Sequence, residues 1–426
     1  MKKYTSTQFN QLLEYLYDLQ RLGIKVGLRH TQELLVRCGN PHENFKSIHI
    51  AGTNGKGSTS AMLASILKKA GYRVGLYTSP HLLRFNERVR VNGVPISDDK
   101  IIEFVEVYKS DIAEIESTFF EATTALAFSY FKDENVDVAI VETGLGGRLD
   151  STNVLSPKVT IITSITADHT EILGKDLKQI AFEKAGIIKN NTPLVLSEQS
   201  DEVEKVIWEI AEKRKASVLK CNQNDLTDIT LVEDGTEFKW KGEKFKSGLI
   251  GKHQAINSIL AIEATKIFDE RINNEIINNG LAKVIWPGRM QRLSSEKPIY
   301  YDVAHNPHGI EVVIDALSEI FIEKPIGVIA LKAEKELENI IPKIENKLSD
   351  LIVTSMPDAG LMKAEDLHNS LNKFGINSKL VKNTQKAFDM IEEQASKEKP
   401  GIIFGSHYIG KAVFEKFDFS FDNGVI

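Results

Sequence analysis

The sequence predicts an α/β protein in two units, a larger one over residues 1–295 and a smaller one over 299–426. Three observations predict it. Ile50-Ala51-Gly52-Thr53-Asn54-Gly55-Lys56-Gly57-Ser58-Thr59-Ser60 lies between a short strand-like run and a helix-like run. Strand, glycine turn and helix start form the setting in which converging backbone N–H groups cradle a phosphate. Short apolar runs alternate with amphipathic ones along most of the chain, the rhythm of a mostly parallel sheet covered by helices. Trp286-Pro287-Gly288 breaks that rhythm, and a second alternation starts after Pro298, which marks 286–298 as a hinge.

The elements follow in order. Leu12, Leu13, Leu16 and Leu19 make a helical stripe over 9–19. A strand at 47–50 leads into the glycine loop, and 61–69 reads as the helix behind it. A strand at 74–77, a helix at 119–131 and a strand at 136–141 come next. The last is continuously apolar, as a buried parallel strand requires. Strands at 159–162 and 194–196 alternate with helices near 173–186 and 201–215. Residues 228–248 differ. They are Thr-rich, charged and punctuated at Asp234-Gly235 and Lys241-Gly242, which suits small antiparallel strands at a domain edge. A helix-rich stretch over 253–285 closes the first unit. In the second, strands at 299–303, 327–331, 351–354, 378–381 and 401–404 alternate with helices near 308–320, 335–346, 363–373 and 385–397.

Composition narrows the function. The chain has 426 residues, 42% apolar and 26% charged, with a net charge of -6. No basic tract with interleaved aromatics stands out, so nucleic acid is not an expected partner. No run is long enough to span a bilayer, and the polar start is unlike a signal core. Cys38 and Cys221 are far apart and fit no metal or redox spacing. Free buried thiols in a reducing cytoplasm are expected.

The chemistry concentrates at strand ends. Lys56 can neutralise phosphate charge, while Thr53, Ser58 and Thr59 offer hydroxyls to a phosphate or magnesium. The loop is unusual: Gly57 separates Lys56 from Ser58, where the common form joins Lys directly to Ser or Thr. Glu142 ends a buried strand, where ligands of open α/β sheets sit, and can hold magnesium or orient water. In Gly144-Leu145-Gly146-Gly147-Arg148-Leu149-Asp150, Arg148 can meet a substrate carboxylate or form a salt bridge. Asp150 can accept from a substrate amine or serve the loop. Ser79, in Ser79-Pro80-His81-Leu82, and His169, in Asp168-His169, fall at the same edge as candidate metal ligands.

Together these segments resemble the folylpolyglutamate synthase/dihydrofolate synthase family of the ATP-dependent Mur ligase superfamily. The matching stretches are 52–58, 79–82, Phe85-Asn86-Glu87-Arg88, 142–150, 168–169, Glu183-Lys184-Ala185-Gly186-Ile187, 251–257, 287–289, Asp302-Val303-Ala304-His305-Asn306-Pro307 and Gly405-Ser406-His407-Tyr408. They span almost the whole chain and include the Lys-Gly-Ser spacing, which is the family's own form of the loop. Val303 stands where many relatives have Gly, and Ser151 where many have Ala.

The resemblance implies a P-loop, Mur-ligase-like central domain followed by a smaller Rossmann-like C-terminal domain. It implies ATP and magnesium as cofactors, with the nucleotide held by 52–59 and Asn257. It implies metal ligands at Ser79, Glu142 and His169, and a carbamylated Lys184 with a second divalent ion beside it. Arg289 would reach the ATP phosphates, Asp302 would set the second domain against the nucleotide, and His305 would shape the cleft. Phe85, Arg88, Arg148 and Asp150 are the expected substrate contacts. The implied reaction joins L-glutamate to dihydropteroate or a reduced folate through an acyl phosphate, in a bifunctional monomer. Two rivals stand beside it. One is a cell-wall amino-acid ligase of the same superfamily. The other is a nucleotide-gated binding module, which needs the phosphate loop but not a second domain carrying the 302–307 stretch.

Overall fold

The computed structural model describes residues 6–23, 27–168, 170–174, 176–332, 337–356 and 360–420. Eight strands form the first sheet: β1 Lys46–Ala51, β2 Val74–Tyr77, β3 Val89–Val91, β4 Val94–Pro95, β5 Val138–Glu142, β6 Val159–Ile162, β7 Leu194–Ser197 and β8 Val218–Cys221. Their order is β4-β3-β2-β5-β1-β6-β7-β8. β2, β5, β1, β6, β7 and β8 pair in parallel, and the β3–β4 hairpin adds an antiparallel edge. β1 therefore lies near the middle, and the glycine loop springs from its end. A three-stranded antiparallel sheet follows, β9 Leu226–Val232, β10 Gly235–Trp240 and β11 Glu243–Ser247.

Apolar residues fill both faces of the first sheet. One face carries the helix Lys56–Lys69, whose residues from Ser58 to Leu67 are all buried. The helices Lys252–Phe268 and Asn274–Leu281 cover it. Gly280 permits the close approach, since a Cβ there would stand 2.5 Å from the Ile66 Cα. The opposite face packs Phe119–Asp133 and Asp98–Ile115 around Phe128, Phe131 and Ile101.

The second unit is a six-stranded sheet of β12 Gln291–Arg292, β13 Ile299–Tyr301, β14 Ile326–Ile329, β15 Asp350–Val353, β16 Lys379–Leu380 and β17 Gly401–Phe404, ordered β12-β13-β17-β14-β15-β16. All pairs but β12–β13 are parallel. The segment expected as a hinge thus supplies an edge strand of this sheet. Leu82 and Leu83 of the first unit pack against its core beside Tyr301.

Other differences have local causes. The helix expected at 173–186 is two, Thr170–Leu173 and Leu177–Ala185, parted at Gly174 with φ +100°. Arg29–Arg37, Asp98–Ile115, the β3–β4 hairpin and β8 were not anticipated. No helix among the described residues is long and apolar enough to cross a membrane.

Candidate active site

The strand ends converge as the parallel register dictates. Ile50 is level with Glu142, and Ala51 with Ile162, so the loops after β1, β5 and β6 share one edge. Two glycines of the first loop are sterically required. Gly52 has φ +149°, and a Cβ would fall 1.8 Å from Thr163 Oγ1. Gly55 has φ +88° and caps the helix start; a Cβ would fall 2.3 Å from Asn257 Oδ1. Gly57 lies under the Trp286 indole, with room for no more than a tight methyl. The inserted glycine therefore lets the hinge tryptophan close over the helix start.

The next two residues hold the loop's shape. Thr53 Oγ1 donates to Thr166 O and accepts from Thr166 N, both at 3.1 Å. Asn54 Nδ2 donates to Thr166 Oγ1 at 3.4 Å, and Ser164 Oγ donates to Asn54 O. Asn257 is buried and donates to Gln254 Oε1 at 3.0 Å. Ser58 is buried, and Thr59 Oγ1 is buried without a partner.

Three ionisable groups meet beside this loop. Glu142 is 5% exposed, and burial pushes its carboxyl up to about 7 against the pull of Lys56. Its near neighbours are Lys56 Nζ at 3.8 Å and the Ser79 N–H at 3.4 Å, both long. Lys56 Nζ also donates to Thr53 O at 3.3 Å. Lys184 is buried and donates to Gly52 O at 2.8 Å. Burial first, then the charge of Lys56, lowers its ammonium to about 8.

The second unit brings Arg289, exposed, and Asp302, buried. Asp302 accepts from Met290 N at 2.8 Å and Ala304 N at 2.7 Å, so it fixes the loop that carries Arg289. Arg289 exerts a lowering pull on Glu142 and Asp302, which places its charge in the cleft. His305 Nδ1 sits 3.0 Å from Val303 O. Val303 packs its Cγ1 on Gly288, where a Cβ would be only 2.7 Å away.

The expected substrate contacts divide. Arg88 is buried, donates from Nε to His81 Nδ1 at 2.8 Å and lies over the Phe119 ring. Its positive charge also acts on Glu142. Phe85 is a core residue, 1% exposed and edge-on to Phe119, because its turn buries it under the helix Phe119–Asp133. Arg148 is paired with Glu183 at 2.8 Å. Asp150 accepts from Gly144 N, Leu145 N and Thr152 N at 2.9–3.0 Å and from the Thr152 hydroxyl. Arg148 and Asp150 are therefore bound up in the loop itself. His169 lies outside the described residues.

Sequence reasoning missed the partners that set these geometries. Thr163, Thr166 and Trp286 confine the glycine loop. His49, buried in β1, contacts Thr152 Oγ1 at 2.8 Å and so backs Asp150. Each acts across long sequence separations, so no local pattern shows the contact it makes.

Known proteins share this chain's sequence and fold over nearly its whole length. Residues 50–265 match the Mur ligase middle domain, and 288–407 match the Mur ligase, glutamate ligase domain. The dihydrofolate synthase/folylpolyglutamate synthase of Bacillus subtilis (strain 168) is 35% identical over 421 residues, 94% of this chain and 97% of that protein. The folylpolyglutamate synthase of Thermotoga maritima superposes with a TM-score of 0.85 at 31% identity, covering 97% of this chain and 98% of that one. Escherichia coli FolC, in complex with DHPP and ADP, superposes with a TM-score of 0.80 at 30% identity over 96% and 97%. By these matches, which run nearly end to end, the chain belongs to the folylpolyglutamate synthase/dihydrofolate synthase family of Mur ligases.

Proposed function

We propose that this chain ligates L-glutamate to the carboxylate of dihydropteroate and of reduced folates, with ATP converted to ADP and phosphate. The observation that carries the chemistry is the buried Glu142 beside the glycine loop, across from Arg289 of the second unit.

A carboxylate is a poor acyl donor because oxide is its leaving group. Its oxygen attacks the γ-phosphorus of ATP, ADP departs, and an acyl phosphate forms. The amine of L-glutamate then attacks the acyl carbon. An amide forms, inorganic phosphate leaves and the amine proton is lost. The loop from Gly52 to Thr59 binds the nucleotide phosphates through backbone N–H groups. Lys56 and Arg289 offset the charge on the transferring phosphoryl oxygens. Asn257 holds the loop from the adjacent helix, and Asp302 orients Arg289. Arg88 meets the folate carboxylate, and His305 positions the incoming glutamate. Leu82 and Leu83, seated on the second unit, help keep water from the acyl phosphate.

The residues fit a magnesium ion. A buried carboxylate with only long contacts gains from a hard cation, and Ser79 stands beside it. Glu142, the Ser79 hydroxyl and, beyond the described residues, His169 would hold the ion, which would supply positive charge against the phosphoryl oxygens. Lys184, neutral more often than an ordinary lysine, is set for carbamylation, which would turn it into an anion suited to a second cation. Cys38 and Cys221, both free and buried, accord with a reducing cytoplasm, where the chain acts as a monomer.

Phosphate release with ATP, magnesium and L-glutamate tests this, once with dihydropteroate and once with a reduced folate. Activity with both is expected. Activity with the folate alone removes the dihydrofolate synthase half. Activity with neither, in folded protein that binds ATP, points back to a cell-wall ligase.

A further inference from the structure

His49 is fully buried in β1, on the strand that leads into Gly52. It lies level with Val141 of β5 and Thr160 of β6, in the middle of the first sheet. Its Nε2 meets Thr152 Oγ1 at 2.8 Å, while its Nδ1 is buried with no partner among the described residues. Burial first, then the charge of Lys189, lowers its pKa to about 3, so the ring is neutral near pH 7. An imidazole with one bare nitrogen inside a dry sheet costs free energy that an apolar side chain of like size would not. Packing alone gives no reason for a histidine at this position.

The hydrogens in this cluster run one way. Asp150 Oδ2 accepts from Gly144 N and Leu145 N, both at 2.9 Å. Its Oδ1 accepts from Thr152 N at 3.0 Å and from the Thr152 hydroxyl. Four donors on one carboxyl hold it in the anionic form. The single hydroxyl hydrogen of Thr152 therefore goes to Asp150. Thr152 Oγ1 must then accept from His49, which carries its proton on Nε2. Bonds in such a chain orient one another. Without the His49 N–H, the Thr152 hydroxyl is free to turn from Asp150.

The chain ends on the backbone that carries Glu142. The side-chain contacts of Glu142 are long, 3.8 Å to Lys56 and 3.4 Å to Ser79 N, so its aim comes from the main chain. Ile50 O accepts from Thr143 N at 2.9 Å, and Asp150 takes the next two N–H groups. Gly144, Gly146 and Gly147 bring no side chains to stiffen this turn, so its hydrogen bonds must do so.

We propose that His49 is a positioning residue for ligation: through Thr152 and Asp150 it fixes the turn that aims Glu142 at the glycine loop. The inference rests on the function proposed above. His49, fully buried, itself touches no substrate.

His49→Leu, His49→Gln and Thr152→Val test it, with turnover, melting and amide exchange over 142–150 measured on each. Leucine fills the site without a donor, whereas the glutamine amide sets an N–H where Nε2 stands. His49→Leu is expected to lower kcat about tenfold, to keep the KM for ATP within about twofold and to melt no lower than wild type. The Gly144 and Leu145 amides should exchange about tenfold faster. His49→Gln should restore both readings. In a Thr152→Val background His49→Leu should change neither, because the chain is already cut. His49→Asn, whose amide falls one carbon short of Thr152, replaces His49→Leu if the latter does not fold. A lowered Tm with wild-type kcat overturns the proposal, as does a His49→Gln protein no better than His49→Leu. Equal losses with and without Thr152→Val mean that His49 acts by another route, and overturn it too. Wild type that ligates glutamate, with normal amide exchange in His49→Leu, overturns this inference alone. Wild type that ligates nothing, with exchange as expected, overturns the function and leaves the hydrogen-bonded chain.

Discussion

Glu142 and Asp150 are buried acids at the two ends of one glycine-rich stretch, and their surroundings are opposite. Asp150 accepts three backbone N–H bonds and a hydroxyl, so burial raises its carboxyl only against strong opposition. Glu142 has one long N–H contact and a lysine at 3.8 Å. A satisfied buried carboxylate belongs to the loop's architecture. An under-satisfied one is held for a ligand, because folding alone gives no return on its lost hydration. The contrast separates a satisfied acid from an under-satisfied one where the sequence shows only two acids at the ends of one glycine-rich stretch.

The strongest challenge to the contrast is Glu142→Gln. Turnover should fall about 10³-fold, as for loss of a group that places charge on a transferring phosphoryl. Stability should move the other way. The folded pKa of Glu142, about 7, lies above its ordinary 4.5. Folding therefore favours the protonated form. That contribution is fully present below about 4.5 and is lost as pH rises through 7. Melting curves without metal or nucleotide should show Glu142→Gln more stable than wild type at pH 8, with the gap closing toward pH 5. A wild type that is the more stable at pH 8 would mean Glu142 has an unrecognised partner. Magnesium should raise the wild-type Tm and leave that of the variant unchanged.

Asp150→Ala should give the converse, a stability loss of about 3 kcal/mol, since it leaves several buried N–H groups unpaired. The check is the first melting transition, because a chain with two sheets need not unfold in one step. Turnover per folded molecule should fall less than in Glu142→Gln. A larger fall would make Asp150 a substrate contact after all.

Arg289→Ala comes next, with phosphate release down about 10²-fold and Tm nearly unchanged. The side chain is exposed at the cleft, so it adds little to packing. A large Tm drop with normal turnover would assign it to structure, alongside Asp150.

Much of this was legible in the sequence, for identifiable reasons. The glycine loop, the buried strand β5 and Glu142 at its end are set by residues adjacent in the chain, so local pattern reveals them. Two missed elements also carried local signals. Asn92-Gly93, both at positive φ, turns the β3–β4 hairpin, and Ser97 caps the helix Asp98–Ile115 by accepting from Lys100 N. The roles of Arg148, Asp150 and Phe85 were not legible. What each side chain does depends on Glu183, Thr152 and Phe119, and only the fold decides whether such partners meet. The family resemblance gave Phe85, Arg88, Arg148 and Asp150 as expected substrate contacts, but not the neighbours their side chains meet in this fold.

Lys184 extends the contrast to cations, with the smallest expected effect. If Glu142 is kept for magnesium, a charged ammonium on Lys184 beside Lys56 opposes that ion. Burial answers this in part by lowering the Lys184 pKa from 10.5 to about 8. At pH 8 about half of it is then neutral, against under about 1% for an ordinary lysine. Only the neutral amine adds carbon dioxide, so the site gains a carbamate where its own burial has removed the proton. The sign follows: bicarbonate should raise turnover at pH 8, about threefold and under about 1 kcal/mol on the barrier, and leave it unchanged near pH 6. Carbon-13 spectra with labelled bicarbonate should show one carbamate resonance at pH 8. It should vanish at pH 6 and be absent from Lys184→Arg. A resonance that persists in Lys184→Arg would place the carbamate elsewhere. A wild-type spectrum without it would leave Lys184 as a simple donor to Gly52, a scaffold group like Asp150.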